Sequence, residues 1–228
     1  MIVLVDSDIV AYRCSAATEG EPESTALMQV DQMMQRIIAE TEATHYKAFL
    51  SGESNFRKDI NPEYKANRKD KPKPKHLLAC KLFLIDEWNA KVSIDCEADD
   101  LLGIEQDKVS QEGNYNTCIA SIDKDLLQIP GYHYNFVTGK MQQVTELEGI
   151  KWFYKQMLIG DNADNIKGVS KIGPVNASKI IDSLETEIEM YQAVCNLYKD
   201  VERFDMNVDC LWIWRNLDET FTKRDPWC

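Results

Sequence analysis

The chain has 228 residues, 44% hydrophobic and 28% charged, long enough for a sizeable core and ordinary for a globular fold. No apolar run approaches the roughly 18 residues that cross a bilayer, and the apolar start MIVLV breaks at Asp6 with no basic region before it, which sets the expectation of no span, no secretory leader, and a cytoplasmic protein with no membrane partner. The net charge of −12 argues against a nucleic-acid partner only until it is resolved along the chain: residues 55–81 carry nine Lys or Arg against three acids, about +6, which leaves about −18 on the rest.

Taken in order, MIVLV reads as a buried parallel strand ending at Asp6. Leu27, Val30, Met34, Ile37 and Ile38 recur at helical spacing from Ser24, a candidate N-cap, to about Ala43. HYKAFLS (45–51) is a second strand. The basic strip follows, and its KDKPKPK (69–75) excludes helix through two prolines. Leu77 to Trp88 is predicted as a helix, AKVSI as a strand, Ala98 to about Val109 as a helix and YNTCIASI (115–122) as the clearest strand. After about residue 145 the pattern turns helical: ELEGIKWFYKQMLIGD, a glycine-punctuated stretch, PVNASKIIDSL with Pro174 in its first turn, then helices near 187–199 and 202–217. Alternating strands and helices predict an α/β fold with a parallel sheet covered on both faces, and the strand ends would deliver Asp6, Glu53, Glu97 and Asp123 to one edge. The cysteines at 14, 80, 96, 118, 195, 210 and 228 form no C-x-x-C pair and read as small core residues. Tyr12, Trp88, Trp152, Trp212 and Trp214 are expected in the core, with Phe56, beside the basic strip, free to stack on a base. His45, His76 and His133 share no metal spacing.

Four acidic motifs carry the chemistry: LVDSD (Asp6, Asp8), DCEADD (Glu97, Asp99, Asp100), SIDKD (Asp123, Asp125) and GDNAD (Asp161, Asp164). Each alone suits a helix cap. Together they crowd like charges, which repel by about 1 kcal/mol at 4 Å even in water, so a cation should compensate. Hard divalent ions take oxygen ligands, and two of them can stabilise both oxygens of a phosphodiester hydrolysis. LVDSD also has the shape of the nucleophile motif of haloacid-dehalogenase phosphatases, and GDNAD resembles their late acidic motif, although the Gly-Thr after D-x-D is absent.

VDSDIVAYR, FRKDINPEYKANR, EADD, IDKDLLQI and GDNADNIKGVSKIGPVNASKII occur in an order that resembles the 5′ nuclease family: flap endonucleases, polymerase I 5′-to-3′ exonuclease domains and, most of all, free-standing phage exonucleases. The resemblance implies a PIN-like core over 1–145 and a helical region over 146–228 packed on it, with a helix-hairpin-helix at 165–185. It implies magnesium-dependent 5′-to-3′ hydrolysis of DNA, in phage replication or recombination, by two ions for which manganese substitutes. Asp6, Glu97, Asp99 and Asp100 would hold the first ion and Asp123, Asp125, Asp161 and Asp164 the second, with Glu53 where the family has an aspartate. Lys65 and Arg68 would contact the scissile phosphate beside the catalytic Asp6 and Asp100, Tyr64 would stack near the cleaved nucleotide, and Arg13 would bind phosphate. Phe56, Arg57, Lys69, Lys71, Lys73 and Lys75 would extend the DNA surface, as would Gly168, Ser170, Lys171 and Gly173 of the hairpin, where the resemblance extends to a potassium ion. KDKPKPKH is short for a threading arch, which favours exonucleolytic attack on a duplex end over flap cleavage. A monomer working with replication proteins is expected. RNase H-type digestion of RNA:DNA hybrids, a small-molecule phosphatase and an inert DNA-binding module stand as alternatives.

Overall fold

The computed structural model of the chain describes residues 1–69, 71–111 and 116–223. Asp70 of the basic strip, Tyr115 of the expected strand and Cys228 lie outside the described residues. The first strand, β1 (Ile2–Asp6), runs parallel to β2 (His45–Leu50) on one side and to β4 (Thr117–Ala120) on the other. The short β3 (Lys91–Val92) flanks β2, and β5 (Gly131–Asn135) flanks β4, both parallel. Antiparallel β6 (Lys140–Val144) completes a six-stranded sheet of order β3-β2-β1-β4-β5-β6.

The period of two along a strand sorts the core into layers. Val3, Val5, Ala48, Leu50, Cys118 and Ala120 face α1 (Ser7–Ala17), α2 (Glu23–Glu40) and α4 (Leu77–Trp88), where Val10, Val30, Met34 and Leu84 meet them. Leu4, Phe49 and Ile119 face the other way, onto Ala98 and Leu102 of α5 (Ala98–Gln111). Each such aliphatic side chain contributes about 1.5–3 kcal/mol by leaving water. Between the second strand and α4 lie the single turn α3 (Arg57–Ile60) and the exposed, non-helical residues of the basic strip.

The C-terminal part is built from α6 (Glu146–Ile159), α7 (Pro174–Ile181), α8 (Glu187–Leu197) and α9 (Val201–Leu211), with a two-stranded ribbon of β7 (Gly160–Asp161) and β8 (Ile166–Lys167) after α6. Threonine-glutamate capping boxes open α6 (Thr145, Glu148) and α8 (Thr186, Glu189), each satisfying two otherwise unpaired amides. The core of these helices also takes in Tyr64 and Cys96, and Trp212 stands edge-on to Phe153 with ring centroids 5.1 Å apart. Among the described residues no helix is long and apolar enough to cross a membrane.

Several elements depart from the expectation. The second helix begins at Glu23 after Pro22, so Ser24 sits inside its first turn and caps nothing. The strand expected over AKVSI shrinks to two residues. The last long helix stops at Leu211 rather than near 217, because the backbone of residues 212–214 extends and is claimed by buried side chains described below. The β5–β6 hairpin was not anticipated. Its loop is closed by Asn135, whose side-chain oxygen accepts from the amides of Val137 and Thr138 at 3.0 Å, and by Gly139 at φ +68. Of the cysteines, Cys195 is exposed rather than in the core.

Candidate active site

The carboxyl ends of β1 and β4 and the start of α5 meet at one edge of the sheet. Asp6 is buried there: one oxygen caps α1 through the amide of Ile9 (3.2 Å), and the other accepts from the Ser121 hydroxyl (2.6 Å) just past β4. Burial pushes the Asp6 carboxyl up to about 7, and the charges of Asp8 and Asp123 add to that rise while the Ser121 and Ile9 bonds oppose it. Asp99, in the first turn of α5, is raised well above the usual range, by desolvation first and then by Asp6, Asp123 and Glu97. Asp125 opens a 3-10 turn (Asp125–Gln128) and is pushed up to about 8 by burial and by Asp123, Asp161 and Asp164. Separate stretches of sequence thus meet through space.

The ribbon after α6 supplies the remaining acids. Gly160 takes φ +75 and lies against Gly168, an approach that a side chain at either position would block. Asp161 then folds the loop by accepting from the amides of Ala163 (2.6 Å) and Asp164 (3.3 Å). The YKANR segment docks on this loop: the Lys65 amide donates to Asp164 O (2.9 Å), Asn67 to Asn162 O (2.7 Å) and Arg68 to Ala163 O (2.9 Å). Lys65 is held in the left-handed region at φ +56, a cost of about 1–3 kcal/mol for a non-glycine residue that recurs at functional sites. Its ammonium lies on Glu97 and 3.5 Å from Asp164, and Arg68 pairs with Asp164 at 2.5 Å.

The two carboxylates that share these cations diverge. Burial would raise Glu97, but Lys65 and Arg57 outweigh it and hold the carboxyl below its usual value. Asp164 stays raised, because desolvation and the Glu97 charge exceed the help of the more distant Lys65 and the half-exposed Arg68. The Tyr64 hydroxyl lies between the pair, 2.9 Å from Glu97 and 2.7 Å from Asp164, with one proton for the two carboxylates to share. Its own ionisation is pushed well up by burial and by Glu97, so it stays a donor.

Four sequence assignments are corrected by this geometry. Asp100 is 0% exposed and is gripped by Arg57 at 2.6 and 2.8 Å, while it also accepts from the amides of Glu97 and Trp214, so both its oxygens are taken by protein donors. Arg57, 2% exposed, spends its other donors on Cys210 O and Trp212 O and cannot reach DNA. Tyr64 is buried and so cannot stack on a nucleotide. The Phe56 ring is stacked on Trp214, with centroids 4.7 Å apart, and lies under the Arg57 guanidinium.

Glu53 is exposed in the loop after β2 and joins none of the carboxylate contacts above. Asp8, a member of the LVDSD motif left out of the ligand set, does reach the edge: it accepts from the Ser51 amide (2.7 Å) and pairs with Lys81 (2.5 Å). Its spacing of two from Asp6 was the available signal. Tyr12, expected in the core, is 53% exposed on α1 next to exposed Arg13. Lys69, Lys71, Lys73 and Lys75 are all exposed, and the far end of their segment is anchored where the Lys75 amide meets Glu19 and His76 meets Glu21 O. In the stretch 165–185, expected as a helix-hairpin-helix, the described helix is α7 alone; Gly168 is packed inward and Ser170, Lys171 and Gly173 are exposed.

Among the described residues no three acids already surround one point as metal ligands do. The donor chemistry nevertheless fits a hard divalent cation: the acids are all-oxygen donors, and Asp6, Asp99, Asp125 and Asp164 carry raised pKa values that positive charge would relieve.

The sequence matches a family model described as 5′-3′ exonuclease, N-terminal resolvase-like domain, over residues 1–157. It is 27% identical over 221 residues to a 5′-3′ exonuclease of Buchnera aphidicola, covering 89% of this chain and 74% of that one. It is 26% identical over 210 residues to flap endonuclease Xni of Shewanella amazonensis, covering 86% and 80%. Against DNA polymerase I of Bacillus caldotenax it is 28% identical over 215 residues and spans 24% of that protein. In structure it resembles the T5 D15 protein co-crystallised with metal ions, with a TM-score of 0.69 at 18% identity over 90% of this chain and 86% of the other. It also resembles a bacteriophage T5 D15 flap endonuclease in a pseudo-enzyme–product complex with DNA and metal ions, with a TM-score of 0.63 at 18% identity over 92% and 91%. At these identities the structural likeness speaks for the fold.

Proposed function

The chain belongs to the 5′-3′ exonuclease family, and from that premise we propose that it hydrolyses DNA phosphodiesters at or near 5′ ends with two magnesium ions. The observation that carries this reading is the edge itself: Asp6 and Asp99 feel each other's charge, both and Asp125 feel Asp123, all three have raised pKa values, and Lys65 and Arg68 pair with the neighbouring Glu97 and Asp164. Asp6, Glu97 and Asp99 would hold one ion, and Asp123, Asp125, Asp161 and Asp164 the other. When bound, the ions supply positive charge against the phosphate oxygens and acidify a water.

The protein's own groups do the rest. Lys65 and Arg68 neutralise Glu97 and Asp164 here; with those carboxylates held by cations, both side chains would be free to pair with a phosphate. Tyr64 keeps Glu97 and Asp164 in register throughout. The exposed lysines at 69, 71, 73 and 75 would track the backbone of the departing strand, and Arg13, Ser170, Lys171 and Gly173 the duplex. Because the lysine segment is short, non-helical and anchored at its far end, attack on a duplex end is favoured over threading of a flap. Potassium at the hairpin, work as a monomer and a setting in phage replication rest on the sequence resemblance alone. Family membership sets aside the phosphatase reading.

The test is a panel of 5′-labelled blunt, nicked, flap and RNA:DNA hybrid substrates with magnesium, and Asp123→Asn as control. Short 5′ products from DNA, lost in the variant, are expected. Release from the 3′ end, or none, would overturn the proposal, and preference for the hybrid would replace DNA with RNA as the substrate.

A further inference from the structure

Asp125 is tied to the far side of the molecule by two buried amides. Gln156 on α6 is 5% exposed and donates through Nε2 to Asp125 Oδ1 at 2.5 Å. Gln128, at the end of the 3-10 turn that Asp125 opens, is 1% exposed and donates through Nε2 to Gln156 Oε1 (2.7 Å) and to Leu211 O (2.8 Å). The Oε1 of Gln128 accepts from the Ile213 amide (3.4 Å), and its backbone oxygen accepts from Arg215 (2.8 Å).

The direction of this chain is determined, because Gln128 faces two carbonyl-type acceptors with its nitrogen and an amide donor with its oxygen. Gln156 must therefore receive with Oε1 and give with Nε2, so that a donor is always aimed at Oδ1. Burying two uncharged amides in this way is costly unless every atom is paired, and here the pairing is completed only by the segment that extends after Leu211. That requirement explains why α9 ends where it does. It also leaves Asp125 with one oxygen held by an amide and with Asp161, another carboxylate, as a hydrogen-bonding neighbour.

We propose that Gln156 is the positioning residue of the second divalent-ion site, its amide oriented through Gln128 by the C-terminal segment 211–215, so that docking of that segment is coupled to ion affinity. The inference rests on the reading of Asp125 as an ion ligand. Partners that orient a ligating carboxylate typically contribute 10–100-fold in metal affinity. Neither glutamine touches the reacting atoms, so the effect must pass through Asp125.

The experiment titrates manganese into the full chain, following bound ion by electron paramagnetic resonance, for the wild type and for Gln156→Met, which keeps length and removes the donor. A weaker-binding ion lost by about 10–100-fold, with the tighter ion unmoved and cleavage restored by added manganese, is the expected result. A folded Gln156→Met with wild-type affinity for both ions overturns the inference and leaves the proposed function standing. A wild type that binds no divalent ion overturns both. Should Gln156→Met fail to fold, Gln156→Asn retains a core amide but draws it a methylene away from Asp125, and the same loss of the weaker ion is required of it.

Discussion

Replacing Arg57 with methionine should unfold this protein more readily, with a smaller effect on the site through the lost support of the Glu97 charge. The guanidinium is 2% exposed and meets a carboxylate that is 0% exposed, so the substitution leaves the Asp100 charge buried and unpaired. Breaking a buried pair from one side costs about 3–5 kcal/mol. The carbonyls of Cys210 and Trp212 lose a donor as well, each worth about 1–3 kcal/mol if nothing replaces it. Total stability of a domain is only about 5–15 kcal/mol, and a chain of this length loses about 2–4 °C of Tm per kcal/mol, so the pair alone predicts a fall of roughly 6–20 °C. Circular dichroism melting of Arg57→Met and Asp100→Asn measures it, and Arg57→Met/Asp100→Leu should recover part of the loss because no charge then stays buried. An Arg57→Met protein that melts within a degree of wild type, yet binds DNA with a salt slope reduced by about one, would refute the reasoning and return Arg57 to the DNA surface.

Tyr64→Phe removes the donor shared by Glu97 and Asp164, and with bonds to charged groups worth about 1.5–3 kcal/mol a single-turnover cleavage rate should fall at least tenfold; a change under twofold counts against the bridge. Lys171 occupies φ +66 in the hairpin turn, so Lys171→Gly should raise the urea midpoint by the equivalent of about 0.5–1 kcal/mol while weakening DNA binding, and a lowered midpoint contradicts the strain. Burial lowers the His133 imidazole below its usual value in spite of its hydrogen bond to Ile129 O, so the unfolded chain takes up that proton first as pH falls. Stability from this source is full above about pH 6.5 and drains away below it toward the folded pKa; His133→Gln should flatten that limb of a midpoint-against-pH plot, and an equal slope in the two proteins sinks the assignment.

Much of the architecture was legible because it is local. MIVLV, HYKAFL and TCIA announce themselves as strands by β-branched or apolar runs, Leu27 to Ile38 as a helix by period, and the acids fall at strand ends where an α/β sheet presents its site. The β5–β6 hairpin escaped because its outer strand KMQQV is mostly exposed and so carries no apolar alternation. The end of α9 escaped for a different reason: residues 212–214 have nothing against helix, and only distant partners draw their backbone out.

Motif order and residue type by themselves determined the family and which acids fall at the sheet edge. Tertiary structure alone decided which of those residues face the cleft. Asp99 and Asp100 are neighbours in one motif, but a helix turns about 100° per residue, so one joins Asp6 and Asp123 while the other points into the protein and finds Arg57. Tyr64, Phe56 and Arg57 look like DNA contacts because aromatic and basic residues there have the right chemistry, and they are instead buried or packed by elements more than 30 residues away. A side chain's chemistry is written in its own position, whereas its solvent exposure is set by whatever the rest of the chain packs against it.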